Sequence, residues 1–156
     1  MPGVGDLYRA VILEHGKAPR NVGRLGTATH AAEGDNPLCG DHVRVELLVE
    51  GERVRAARFE ITGCLVATAS ASLMTEAVGG RSRAEVRALH DAVAATCAGR
   101  PQPGGGDLGA LAALAAVRDY PSRARCAALP WETLARALEA APEAGTPDRK
   151  PARDPA

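Results

Sequence analysis

Neither sign of charge is in excess: 19 Lys and Arg balance 19 Asp and Glu across 156 residues. That balance excludes the basic footprint of a nucleic-acid binder or of a protein drawn to an acidic membrane surface. No apolar run reaches membrane-spanning length. The start, Met1 to Asp6, has neither the basic residues nor the apolar stretch of a secretory signal, so a cytoplasmic location is expected. Aromatic residues make up only 3% of the chain, and much of the 46% hydrophobic share is alanine. Small side chains favour helices that approach one another closely, and the length suffices for one domain with a core. There are four cysteines but no CxxC pair, so zinc-finger and thioredoxin motifs are excluded. In a reducing compartment such cysteines are thiols or metal ligands rather than disulfides. Gly104-Gly105-Gly106 lacks the lysine and strand context of a phosphate-binding loop. No internal repeat is present.

Periodicity supplies the elements. Asp6 is expected to cap a helix running to about His15, with Leu7, Ala10, Val11 and Glu14 at helical spacing. Gly16 and Pro19 end it, and residues 17–26 read as an irregular loop. Val43, Val45, Leu47 and Val49 alternate with polar residues, as a half-buried strand does. Gly51-Glu52 makes a turn, and Ala57, Phe59 and Ile61 mark a second strand. The adjacent Ala56 and Ala57 break the phase and suggest a bulge. A weak third strand is expected near Thr27 to Ala32. Residues 64–78 are small and apolar on nearly all sides, the pattern of a buried helix. Residues 83–97 place Val86, Leu89, Val93 and Cys97 on one helical face. Residues 99–107 form a connection, 108–117 a short helix, and Arg118 to Arg125 a loop. The last helix is expected to open at Cys126, with Pro130 in its first turn. The tail from Pro142 to Ala156 reads as disordered.

Cys39, Cys64 and Cys126 all fall at expected element boundaries, where a side chain is presented from rigid support. They lie 25 and 62 residues apart. Cysteines so scattered are, taken alone, more often inert packed thiols. Asp41 sharpens the pattern by parity. It shares the inward face of its strand with Val43 and Val45, and an inward carboxylate needs a partner such as a cation. A turn aspartate bonded to nearby amides is the alternative. His42, the rival ligand, falls on the outward parity with Arg44 and Glu46. A helix N-terminus favours an anionic thiol, which would suit Cys64 and Cys126 as ligands. Three thiolates and one carboxylate make a reasonable tetrahedral zinc set. Cys97 reads as a packed core thiol, and His15, His30 and His90 have no metal-site spacing. Ser70 and Ser72 have no nearby base in sequence and are not expected to be nucleophiles.

The residues together resemble a family. DLY from Asp6, HGKAPRNVGRL from His15 to Leu25, and NPLCGD from Asn36 to Asp41 match in order. ARFEITGC from Ala57, ATASASLMTEAV from Ala67, and RARCAALPW from Arg123 to Trp131 complete the set. The chain resembles a SufU-type member of the IscU/NifU-N family of iron–sulfur cluster assembly proteins, over residues 6 to about 140. The resemblance implies an α+β fold, a small antiparallel sheet of about three strands packed against helices. It implies a domain over 1–141, with 142–156 outside it. Cys39, Asp41, Cys64 and Cys126 carry over as metal-site positions. Two departures set the subtype apart from IscU-type scaffolds. Their Pro-Pro-Val-Lys chaperone motif is missing, and Arg125 stands where they have a His before the third cysteine. An insertion around 99–118 resembles SufU. Ala128 and Pro130 depart from the SufU pattern, which has hydroxyl residues there.

The resemblance further implies zinc-dependent sulfur transfer from a pyridoxal-phosphate cysteine desulfurase of the SufS type to a downstream scaffold. Cys39 would accept the sulfur once a desulfurase histidine takes its place on the zinc. Arg123 reads either as a cation near the site that stabilises thiolate or persulfide or as a solvated loop arginine. The alternative implied by the wider family is a scaffold on which a [2Fe–2S] cluster is built from iron on the same residues. A third reading, from another class, is a non-catalytic protein with a structural zinc.

Overall fold

A computed structural model describes residues 4–38, 40–101 and 108–140. Its elements run α1 (Val4–Lys17), β1 (His30–Asn36), β2 (Asp41–Glu50), β3 (Arg53–Thr62) and α2 (Leu65–Val78). They continue with α3 (Arg83–Ala98), a 3-10 helix (Gly109–Val117) and α4 (Pro121–Glu139). The strands form one antiparallel sheet in the order β1-β2-β3. The fold is thus α+β, as expected.

Alternation along β2 and β3 sets the core. Val43, Val45, Leu47, Val54 and Phe59 are fully buried on one face. They join Met74 and Val78 of α2, Val86 and Val93 of α3, and Trp131, Leu134 and Leu138 of α4 in one apolar cluster. The expected bulge is present: Leu48 pairs with Ala56 and Val49 with Val54, so Arg55 is the extra residue. The outer edge of β3 is covered. Gly23 N–H donates to Phe59 O, Phe59 N–H to Asn21 O, and Val54 N–H to Arg81 O. Such coverage shields one of the two edges of the sheet.

Three boundaries differ from expectation, each for a physical reason. The first helix begins at Val4, so Asp6 lies in its first turn, where it pairs with Arg9. Its buried face is Ile12 and His15, flanked by Tyr8 and Val11, while Leu7 is 56% exposed. This helix packs on α2 and the 3-10 helix, and the small apolar surface of α2 selects that face. The third strand spans His30–Asn36, later than Thr27–Ala32, because its pairing with β2 extends to Asn36 opposite Asp41. The segment 109–117 is a 3-10 helix. The last helix begins at Pro121, whose fixed φ and missing N–H suit a first helical position. Arg118 to Arg125 is therefore mostly helix, and Cys126 is the sixth residue of α4 rather than its start. Pro130 lies inside that helix. Lacking an N–H, it cannot donate to the Cys126 carbonyl four residues back. The connection at 102–107 and the tail from 142 lie outside the described residues.

Glycine permits one close approach that the fold requires. An added Cβ at Gly34 of β1 would lie 2.2 Å from Thr133 Oγ1 and 3.2 Å from Leu129 Cδ1, both on α4. Only a residue without a side chain lets α4 lie this near the sheet.

Candidate metal centre

Three elements end at one place. Asp41 is the first residue of β2, Cys64 caps α2, and Cys126 lies in the second turn of α4. One ligand atom from each lies within 4.8 Å of the others. Asp41 is 3% exposed and Cys126 is fully buried, while Cys64 is half-buried.

Local structure explains each position. His42 pairs with Thr62 across β2 and β3, so the register continued one step sets Asp41 opposite Gly63. The Asp41 carboxylate lies against the start of α2: Cys64 N–H donates to its Oδ1 at 3.1 Å. The Cys64 thiol donates to its Oδ2 at 3.8 Å. Cys64 itself has extended φ and ψ of −76° and 168°, and its Sγ accepts from Ala67 N–H at 3.4 Å. The α2 N-terminus thus already presents backbone N–H groups to sulfur and carboxylate oxygen, an arrangement that favours negative charge. Cys126 does not share this advantage, since it lies inside α4. It reaches the site because α4 packs across β1, β2 and α2, where Ser70 Oγ donates to Ala127 O at 2.6 Å.

His42 points the other way. Its Nδ1 lies 2.6 Å from Asp35 Oδ1 and its Nε2 lies 3.0 Å from Glu33 Oε1. These carboxylates, first through the Asp35 hydrogen bond, raise its pKa above the ordinary histidine value. Arg123 is exposed in the first turn of α4, one helical turn before Cys126. Cys39 lies outside the described residues; its neighbour Leu38 is 75% exposed, and Gly40 has a φ of 73°.

The donor set suits a borderline-soft divalent ion. Two thiols and a carboxylate converge from rigid elements, and two of the three side chains are shielded from water. Cys97 stands apart. It is 3% exposed in the core, and burial pushes its thiol up to about 11.

Sequence reasoning missed one polar centre. His15 Nδ1 lies 2.8 Å from Ser72 Oγ, which also accepts from Arg20 N–H at 2.9 Å. Ser72 therefore does have a base nearby, from a helix 57 residues away in sequence. Ser72 has no exposed surface, and its oxygen holds the loop after α1 against α2, a structural role.

A small α+β domain with two cysteines and a carboxylate converging at the sheet end carries the donor set of a candidate metal site. The model of the NifU-like N terminal domain matches residues 7–127, and the chain belongs to that family, which serves iron–sulfur cluster assembly. The chain is 36% identical over 132 residues to the zinc-dependent sulfurtransferase SufU of Bacillus subtilis. That match covers 85% of this chain and 89% of the relative. It is 34% identical over 136 residues to the iron–sulfur cluster assembly scaffold protein IscU of Streptococcus pyogenes, covering 87% and 85%. The N-terminal NifU-like protein of Brucella abortus has a similar solved structure, with a TM-score of 0.77 and 28% identity. That superposition covers 87% of this chain and 94% of the other.

Proposed function

We propose that the chain is a zinc-dependent sulfurtransferase. It takes persulfide sulfur from a pyridoxal-phosphate cysteine desulfurase of the SufS type and hands it to a downstream scaffold. The observation that carries this reading is the convergence of Asp41, Cys64 and Cys126 within 4.8 Å, two residues along the chain from Cys39. Similarity to the Bacillus subtilis protein over most of both chains supports zinc in particular.

Asp41, Cys64 and Cys126 would hold the ion throughout, and Cys39 would be the fourth ligand only until it is freed to react. Zinc, when bound, is a Lewis acid that keeps cysteine deprotonated at neutral pH. Cys39 is the nucleophile, because only a thiolate attacks a persulfide well. Its sulfur attacks the outer sulfur of the desulfurase persulfide. A new S–S bond forms, the old one breaks, and the desulfurase cysteine leaves as a thiolate. The outer sulfur moves without net oxidation or reduction. The exposure of Leu38 fits a segment that a partner's cysteine must reach. Arg123, one turn before Cys126, supplies positive charge for a thiolate or persulfide in this reading.

The test is desulfurase turnover in the presence of this protein, together with its metal content. About one zinc per chain and faster turnover are expected. Cys39→Ser should abolish the enhancement; retained enhancement would remove Cys39 from the role. Similarity to the Streptococcus pyogenes scaffold favours a second reading, in which a [2Fe–2S] cluster is built here as cargo. Iron, sulfide and visible absorbance in the purified protein would establish that reading instead. Zinc with no effect on any desulfurase would leave a structural metal.

A further inference from the structure

Gly63 has no chemistry of its own, yet the tightest contact at the metal centre is with the space beside its Cα. A Cβ built there would lie 2.9 Å from Asp41 Oδ1, 3.1 Å from Asp41 Cγ and 3.3 Å from Asp41 Cβ. All three nearest atoms belong to one side chain. The backbone does not explain the glycine, because Gly63 is absent from the described glycines with positive φ. Alanine could adopt its conformation; what it could not do is coexist with Asp41 as placed.

Nor can Asp41 step aside at little cost. Its carboxylate is buried, and its Oδ1 is tied to the Cys64 N–H that immediately follows Gly63. One oxygen is thereby committed to the backbone, and Oδ2 is left on the side of the Cys64 sulfur. We infer that Gly63 is a positioning residue: its missing side chain is the seat of the Asp41 carboxylate, which it would hold in place as a ligand for a zinc-like ion. This inference rests on the metal-centre reading above, but its geometric half concerns Asp41 and Cys64 alone.

Zinc affinity by chelator competition and amide hydrogen exchange at Cys64 in the metal-free protein test it together, in wild type, Gly63→Ala, Asp41→Ala and the double variant. Gly63→Ala is expected to weaken zinc binding about 10- to 100-fold, the usual cost of disturbing a ligand's support. It should also speed Cys64 exchange by about tenfold as the bond to Oδ1 is lost. In the Asp41→Ala background, adding Gly63→Ala should have a much smaller effect on both quantities, since the contacts with Oδ1 and Cγ are gone and only the 3.3 Å approach to the retained Cβ remains. Unchanged affinity and exchange in Gly63→Ala would overturn the inference. So would effects that persist undiminished without Asp41. If Gly63→Ala fails to fold, restored folding in the double variant supports the inference and continued failure refutes it. Wild type that binds no zinc would sink the sulfurtransferase reading, while the exchange measurement would still decide the role of Gly63.

Discussion

Asp41 and His42 are adjacent and could both bind a metal, yet a strand sends successive side chains to opposite faces. Asp41 turns into the cluster with Cys64 and Cys126, and His42 turns out to Asp35 and Glu33. Parity along the strand is enough to tell the two apart. The same scale separates the cysteines. Cys64 is half-buried at a helix start, whereas Cys97 is packed in the core with its thiol pushed up to about 11. A thiol-alkylating reagent at mildly alkaline pH should therefore modify Cys64 of the metal-free protein well before Cys97. Peptide mass spectrometry over time reads the order, and equal rates would contradict the burial of Cys97. Burial slows such a reaction twice, by blocking access and by keeping the sulfur protonated.

At the scale of elements, the junction of α1 with α2 is polar inside an apolar fold. His15 is 6% exposed, bonded to Ser72, with its Nε2 3.8 Å from Glu76. Burial, and then the charge of Arg20, lowers its pKa below the ordinary value; Glu76 and Glu14 oppose the shift. The folded protein thus keeps His15 neutral at a pH where the unfolded chain protonates it. The associated stability is fully present above the ordinary histidine pKa of about 6.5 and is lost as pH falls through it toward the lowered folded value. Denaturant midpoints measured across this window should fall with pH in wild type and fall less in His15→Gln. Equal slopes would remove His15 from the account. The last helix differs in kind at this scale. Pro121 can be read as a loop residue or as a helix start, and α4 takes the second course because its apolar face docks on the sheet. Gly34 and Thr133 show how close that docking is.

For the molecule as a whole, the candidate metal centre lies at one end of the sheet, and the apolar core is built from other residues. The buried cluster runs through β2, β3, α2, α3 and α4 on apolar residues such as Phe59, Met74 and Trp131. Removing a bound metal should therefore lower the melting temperature through lost ligand binding but leave a cooperative unfolding transition. Calorimetry before and after chelation checks this; loss of the transition would mean that metal holds the fold together. No described helix is long and apolar enough to cross a membrane.

Much of this architecture is local in origin. Alternation from Val43 to Val49 and from Ala57 to Ile61 marks two strands, the small apolar run at 65–78 marks the buried helix, and Ala56-Ala57 marks the bulge. Each is legible because its signal repeats within a few residues. The start of α4, the buried face of α1 and the pairing of His15 with Ser72 are not legible in that way, since each depends on a neighbour distant in the chain. The candidate ligands stand between these cases. Residue type marks the cysteines and parity marks Asp41, but Cys126 lies inside α4 rather than at the boundary expected of it, and bringing Asp41, Cys64 and Cys126 within 4.8 Å took the register of β2 on β3 and the seating of α4. Sequence carries the periodicities that fold each piece, while distances between pieces arise only when their apolar faces pack together.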